Sequence, residues 1–343
     1  NYKLLDKQVE EFKPSHIAVN EAGRIYFRQK PPSRLKVLDV LTDLEVLVSL
    51  KKVDIVVIAM RGSAALKPFL SALESQKRVA PANKEALVVA GEILMKAASR
   101  YGAEIIPIDS EQSAIFQCLE GQAHQDVKKV ILTASGGTLR DVPRSAFDHY
   151  SLKQMLKHPT WKMGDKITID SAMLMNKGFE VIEALRLFNL SIDQIEVVIH
   201  PQSIIHSMVA FKDGSLLAQL GETNMRIPIQ YALTYPQRWD SGFRPINFVQ
   251  LKQLTFKAPD MKKFPALALC LHVAKIGGTL PAVLNAADEE AVEAYLHKKI
   301  KFTQIYTIVE KVVLKHKARQ RLTLNKVLDA DSWAREEAQA IIG

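Results

Sequence analysis

EALVVAGEILMKAASRYGAEIIPID, residues 85–109, sets a helical stretch directly before a strand-like one. Through residue 102 the apolar positions recur at spacings of three and four, the period of an amphipathic helix. The run AEIIPID (103–109) then reads as a β-branched strand. Working outward, SHIAVN (15–20), DIVVIAM (54–60) and RVAPA (78–82) also read as strands, and ALKPFLSALESQ (65–76) as another helix. Short β-runs alternating with helices define a parallel sheet with crossover helices. Such open doubly wound sheets bind ligands beyond the carboxyl ends of their strands. Asp109 stands at one such end.

Further along, KKVILTASGG (128–137) is a strand followed by a Ser-Gly-Gly turn. IEVVIH (195–200), SIIHSMVAFKDG (203–214) and SLLAQL (215–220) read as strands, the last two joined by a hairpin at Asp213-Gly214. This change from a parallel to a partly antiparallel pattern places a domain boundary near residue 109. From YPQRWDSGFRPINF (235–248) the pattern dissolves into a linker. LALCLHVAKIGG (267–278), AADEEAVEAYLHKKI (286–300), FTQIYTIVEKVVLKH (302–316) and LDADSWAREEAQAII (328–342) are helical. The expected fold class is α/β: a truncated Rossmann-like domain (1–108), a second α/β domain with a mixed sheet (109–235), a linker (236–262) and a small C-terminal helical domain (263–343). The helix YKLLDKQVEEF (2–12) opens the chain with no strand before it and shows no signal-peptide pattern.

With 343 residues, 48% hydrophobic and 24% charged, the chain can bury a full core. No apolar run is long enough to span a bilayer. Cys118 and Cys270 are too few for a disulfide framework or a thiolate cage, which points to a reducing compartment. The net charge of +9 comes from scattered Lys and Arg residues. KHKARQR (315–321) reads as a solvated helix end, and without an aromatic-interleaved basic motif no nucleic-acid partner is expected. The positive excess suits an anionic substrate.

Asp109 and Glu111 can both reach one cation. Alone, this stretch favours the plainer reading, in which Asp109 or Ser110 caps the next helix and Glu111 is a first-turn acid. The balance shifts at HPTWKMGDKITIDSAMLMNKGFEVIEALRLF (158–188). A helix from about Asp170 there carries Asn176, Lys177 and Glu180 on neighbouring faces. Asp109, Glu111 and Glu180 would give a hard divalent cation three carboxylates. Ser135, Ser171, Asn176 and Lys177 could hold a phosphate, and the segment with His158, Trp161, Met163 and Gly164 could cover the site.

ANKEALV (82–88), PIDSEQSAIFQCL (107–119), ASGGTLRD (134–141), HPTWKMGDKITIDSAMLMNKGFEVIEA (158–184) and HPQSIIHSMVAFKDGSLLAQLGETNMRIPI (200–229) resemble the 1-deoxy-D-xylulose 5-phosphate reductoisomerase family of the non-mevalonate isoprenoid pathway. The resemblance covers the whole chain in order. It implies Mg2+ or Mn2+ on Asp109, Glu111 and Glu180, and Lys84, Glu111 and His158 as catalytic residues. Ser110, Ser135, His158, Trp161, Met163, Ser171, Asn176, Lys177 and Glu180 become substrate contacts beside Lys84 and Glu111. Asn1, Gly62, Asn83, Glu85 and Gly164 face NADPH. His200 and His206 are expected in packed or hydrogen-bonded strand positions rather than in catalysis. The implied reaction rearranges a sugar phosphate to a branched aldehyde and reduces it with NADPH to 2-C-methyl-D-erythritol 4-phosphate. A homodimer is implied, with no nucleic-acid or membrane partner, in the bacterial cytoplasm or, for a plant or algal source, the plastid stroma.

Three departures stand out. A family member is expected to open with a strand and a turn resembling GSTGSIG, which would receive the cofactor's phosphates. Neither is found in the sequence, so this chain alone is expected to bind NADPH poorly; a fluorescence titration of cofactor against the full parent tests this. Arg61 replaces an apolar or small residue and is expected to face solvent, and Thr138 replaces a proline and is expected to loosen its turn. Two rival readings are a homoserine-type dehydrogenase, which would not need the three carboxylates, and a non-catalytic sugar-phosphate sensor, which could dispense with a buried acid cluster.

Overall fold

The structure, a computed structural model, describes residues 1–29, 35–60 and 62–343. Arg61, expected to face solvent, lies outside the described residues. In the N-terminal region β1 (His16–Val19) pairs in parallel with β2 (Lys36–Asp39), and β3 (Ile55–Ile58) with β4 (Arg78–Pro81). The helices Leu66–Glu74 and Glu85–Tyr101 bury Phe69, Leu73, Leu87 and Leu94 in one core with Val56, Ile58 and Val79. This is the alternation expected from periodicity, with two differences. AEIIPID runs beside β4 but forms a single parallel bridge, Ile105 to Val79, rather than a strand. Pro107 has no N–H to continue a ladder. Conversely, β2 was not anticipated, because KVLD is too short to show a period.

The second region is a four-stranded mixed sheet of β5 (Val127–Ala134), β6 (Ile195–Ile199), β7 (Ile205–Phe211) and β8 (Leu216–Leu220), in the order β6-β5-β7-β8. β5 and β6 are parallel, while β5–β7 and β7–β8 are antiparallel. The β7–β8 hairpin turns at Asp213-Gly214 as expected, with the Ser215 N–H and hydroxyl donating to Asp213 Oδ1 at 2.9 and 2.7 Å.

The helix expected from about Asp170 is two helices, Asp165–Ala172 and Met175–Leu187. Leu174 separates them, with φ of 63° in the left-handed region that no helix interior accommodates. Met175–Leu187 is the central helix of the fold. Its Val181, Ala184 and Leu185 pack under the mixed sheet, and its Phe179 and Ile182 join the core shared with the C-terminal helices. At Gly178 any Cβ would run into Cys270, so the helix Pro265–Ile276 approaches as closely as a glycine allows. The helices Pro265–Ile276, Leu280–Leu296, Phe302–Lys315 and Leu324–Ile342 complete the fold. Between the regions, residues 236–262 hold one short helix, Phe248–Leu251, and a bridge from Lys257 to Ile199. Lys315, Lys317, Arg319 and Arg321 of KHKARQR are exposed, while His316 turns inward to bond Thr279 Oγ1 at 2.8 Å. No helix among the described residues is long and apolar enough to cross a membrane.

Candidate active site

Asp109 caps the helix Ser110–Leu119, its Oδ1 accepting the Glu111 N–H at 3.2 Å. The plain reading of this stretch therefore holds, but it uses one oxygen only. The other, Oδ2, lies 2.5 Å from Lys84 Nζ, delivered by the loop after β4. Lys84 Nζ also donates to Glu180 Oε1 at 3.0 Å. On the central helix, Asn176 Nδ2 donates to Glu180 Oε1 at 2.6 Å, and Lys177 Nζ to Glu180 Oε2 and, at 2.9 Å, to Glu111 Oε1. The Ser110 hydroxyl donates to Glu111 Oε2 at 2.5 Å. One oxygen each of Asp109, Glu111 and Glu180 lies within 4.8 Å of the others. The three acids converge, and two tethered ammoniums stand among them.

Burial opposes charge on both lysines, yet the surrounding carboxylates prevail. Asp109 and Glu180 hold Lys84, and Glu111 and Glu180 hold Lys177, above the usual lysine range. Against burial, Lys84 draws the Asp109 carboxyl below its ordinary value. Burial and then Glu111 push Glu180 up to about 7. One turn on, Glu183 is buried, and neither carboxylate oxygen has a hydrogen-bond partner among the described residues; burial and Asp109 raise it well above its ordinary value, which favours the neutral acid. The oxygen donors, their spacing and their excess negative charge suit a divalent cation. Such a cation competes with the proton on Glu180. Its dissociation constant should therefore weaken about tenfold from pH 8 to pH 6, as calorimetric titration with Mn2+ would show.

The other end of the site is built on a histidine. His158 Nδ1 accepts the N–H groups of Thr160 at 3.2 Å and Trp161 at 2.9 Å. A neutral imidazole accepting at Nδ1 carries its proton on Nε2. Nε2–H therefore faces Ser135 Oγ at 3.0 Å and Ser171 Oγ at 3.2 Å. Burial, helped by Arg140, lowers His158 to about 4, which keeps it neutral. Ser135 Oγ also accepts the Gly137 N–H at 3.1 Å. With the acceptor sides of both serines engaged, their hydroxyl protons can turn to an anion. Gly137 has φ of 67°, and a Cβ there would collide with the Ser171 carbonyl, so the glycine turn and the second serine meet backbone to backbone. Thr138, expected to loosen this turn, ties it instead: its hydroxyl donates to the Met155 carbonyl at 3.1 Å.

Two cavities meet here, of about 280 Å³ and 790 Å³. Ala82, Lys84, Gly164, Ile167 and Asn176 form their common wall. The smaller is lined by the three acids, Ser110, Ser135, His158, Trp161, Met163, Ser171 and Lys177. Asn83 and Glu85 line the larger. Asn1 and Gly62 line neither: Asn1 caps the first helix through the Leu4 N–H at 3.1 Å, and Gly62 lies beside Glu289. His200 is in a packed position, its Nε2 accepting the N–H groups of Ile204 and Ile205, both at 3.2 Å. His206 is buried too, yet lines the smaller cavity, its ring 6.0 Å from that of Trp161. Its buried place in β7 is the packed strand position expected; that it also borders the smaller cavity was not foreseen, nor was Arg140, whose charge bears on His158.

Fold and site together define an α/β enzyme of Rossmann-like design with a buried carboxylate centre. Family models of 1-deoxy-D-xylulose 5-phosphate reductoisomerase match residues 1–91 and, for C-terminal domains, 105–188 and 220–337. The reductoisomerase of Endomicrobium trichonymphae is 44% identical over 346 residues, covering 100% of this chain and 90% of its own. That of Moorella thermoacetica is 48% identical over 344 residues, covering 99% and 89%. Among solved structures, a DOX-P reductoisomerase in complex with NADPH, fosmidomycin and magnesium matches with a TM-score of 0.93 at 39% identity, covering 99% of this chain and 89% of its own. The Zymomonas mobilis enzyme in complex with NADPH matches at 0.91 and 37%, covering 100% and 89%. The chain belongs to the 1-deoxy-D-xylulose 5-phosphate reductoisomerase family.

Proposed function

We propose that the protein converts 1-deoxy-D-xylulose 5-phosphate to 2-C-methyl-D-erythritol 4-phosphate, consuming NADPH and a proton, as a step of non-mevalonate isoprenoid synthesis. The observation that carries this reading is the convergence of three carboxylates in the same cavity as a histidine-oriented serine pair. Asp109, Glu111 and Glu180 would hold Mg2+ or Mn2+, which supplies Lewis acidity toward the substrate's hydroxyl and ketone oxygens. Ser135, Ser171, Asn176 and Lys177 grip the phosphate, with His158 fixing the two serines. Lys84, on the common wall, offers its ammonium to oxyanion charge as a carbon–carbon bond breaks and reforms to give the branched aldehyde. Asn83, Glu85 and Gly164 orient the nicotinamide, whose hydride then goes to the aldehyde carbon while a proton goes to its oxygen. Trp161 and Met163 exclude water from both steps.

In this reading residues 1–108 form the cofactor domain, 109–235 the catalytic domain and 263–343 a helical domain beyond the 236–262 linker, in a homodimeric protein. The test incubates the full-length protein with 1-deoxy-D-xylulose 5-phosphate, NADPH and Mn2+ and follows the absorbance of the reduced cofactor. Absorbance should fall, and a chelator should stop it. Turnover that survives chelation would point instead to a metal-independent dehydrogenase.

A further inference from the structure

Outside the carboxylate centre, Lys166 and Asp170, on the wall of the larger cavity, join Asp288 in a second buried charged cluster. Lys166 Nζ donates to Asp170 Oδ2 and to Asp288 Oδ2, each at 2.6 Å. The side chains of Asp170 and Asp288 are 4% and 0% exposed. Nζ also lies 5.3 Å from the centroid of the Phe179 ring, so two of its protons meet carboxylates beside an aromatic face. Two acids around a single ammonium are neutral only when they share one proton. Burial raises both acids, Asp288 adding to the rise at Asp170, so the pair shares that proton over one ammonium.

The cluster links two elements far apart in sequence. Lys166 and Asp170 lie one turn apart on the helix Asp165–Ala172, and Asp288 lies on Leu280–Leu296, 122 positions beyond Lys166. The first of these helices carries site residues at both ends. Gly164, at its start, stands on the common wall of the two cavities and accepts the Thr168 hydroxyl through its carbonyl at 2.8 Å. Ser171, near its end, faces His158. A side chain at position 171 is therefore only as well placed as the helix that carries it.

We propose that Lys166, Asp170 and Asp288 form a positioning clasp that fastens the Asp165–Ala172 helix to the C-terminal helices and so holds Ser171 at the substrate's phosphate. The clasp rests on the function proposed above. Losing a charge-assisted bond that fixes a contact weakens binding by about tenfold or more.

The test uses the full-length, Mg2+-loaded protein and two readouts, calorimetric binding of 1-deoxy-D-xylulose 5-phosphate and steady-state kinetics with NADPH. Asp288→Ala, which cuts the tie between the helices, should weaken sugar-phosphate binding and raise its KM by about tenfold, with kcat within about threefold and NADPH binding unchanged. Combined with Ser171→Ala, Asp288→Ala should add less than about twofold to the loss from Ser171→Ala alone, because both act through one contact. Should Asp288→Ala fail to fold, Asp288→Leu, apolar and closer in volume and likewise away from the wall of either cavity, carries the same expectations. The clasp is overturned if the folded variant binds the sugar phosphate like the parent, if its effect multiplies fully with that of Ser171→Ala, or if NADPH binding falls equally. A parent protein that neither binds nor converts the sugar phosphate would sink the proposed function instead.

Discussion

Glu180→Gln should lower turnover by about a thousandfold or more while leaving the protein folded. The substitution keeps the shape and an oxygen to accept from Asn176 and Lys84, but removes the charge at the one acid that both lysines contact. Folding should tolerate it because Glu180, pushed up to about 7 by burial and Glu111, is already half neutral in the metal-free protein. The sign of the pH effect follows. A carboxyl raised in the folded state contributes stability that is present below its unfolded value and is lost as pH rises through about 7. In metal-free buffer the variant should therefore gain melting temperature relative to the parent between pH 5 and pH 8. A variant that unfolds at every pH, or one that keeps a tenth of the parent's turnover, would contradict this account.

Lys84→Met should separate stability from activity. The ammonium lies 2.5 Å from Asp109 and 3.0 Å from Glu180, and removing it strips Asp109 Oδ2 of its cation and leaves Glu180 with Lys177 alone to offset its charge, a loss of about 3 kcal/mol. Added Mg2+ or Mn2+ should restore most of that stability, because a cation held by the same oxygens replaces the missing charge. Turnover should remain about a hundredfold or more below the parent if Lys84 makes the oxyanion contact proposed for it, which a metal on the carboxylates would not supply. Thermal unfolding with and without metal, set beside steady-state rates, checks both halves. A variant whose activity returns along with its stability would show that Lys84 serves only to neutralise the site.

Local chemistry made much of this site readable. Asp109 was visible because an apolar run ends just before it, and Asn176, Lys177 and Glu180 because three- and four-residue spacings on a helix bring side chains together. The resemblance to a known family joined these pieces, and the fold places them around one point. What could not be read depends on long-range packing or on backbone geometry without a residue signature. Leu174 breaks a helix although leucine is a good helix former, and it does so in a conformation that favours glycine. Lys166 reads as an ordinary surface lysine until Asp288 arrives from a helix more than a hundred positions away. Glu183 sits at a spacing that suits a solvent-facing acid, and only the packing of the central helix on several sides turns it inward.

Lys84 and Lys177 give the carboxylate centre its own resident counter-ions. Loading with magnesium is then an exchange of one partner for another, and the cluster of acids need never stand undressed. Any cation drawn to these oxygens competes with two tethered ammoniums, a contest that favours a doubly charged ion over a singly charged one.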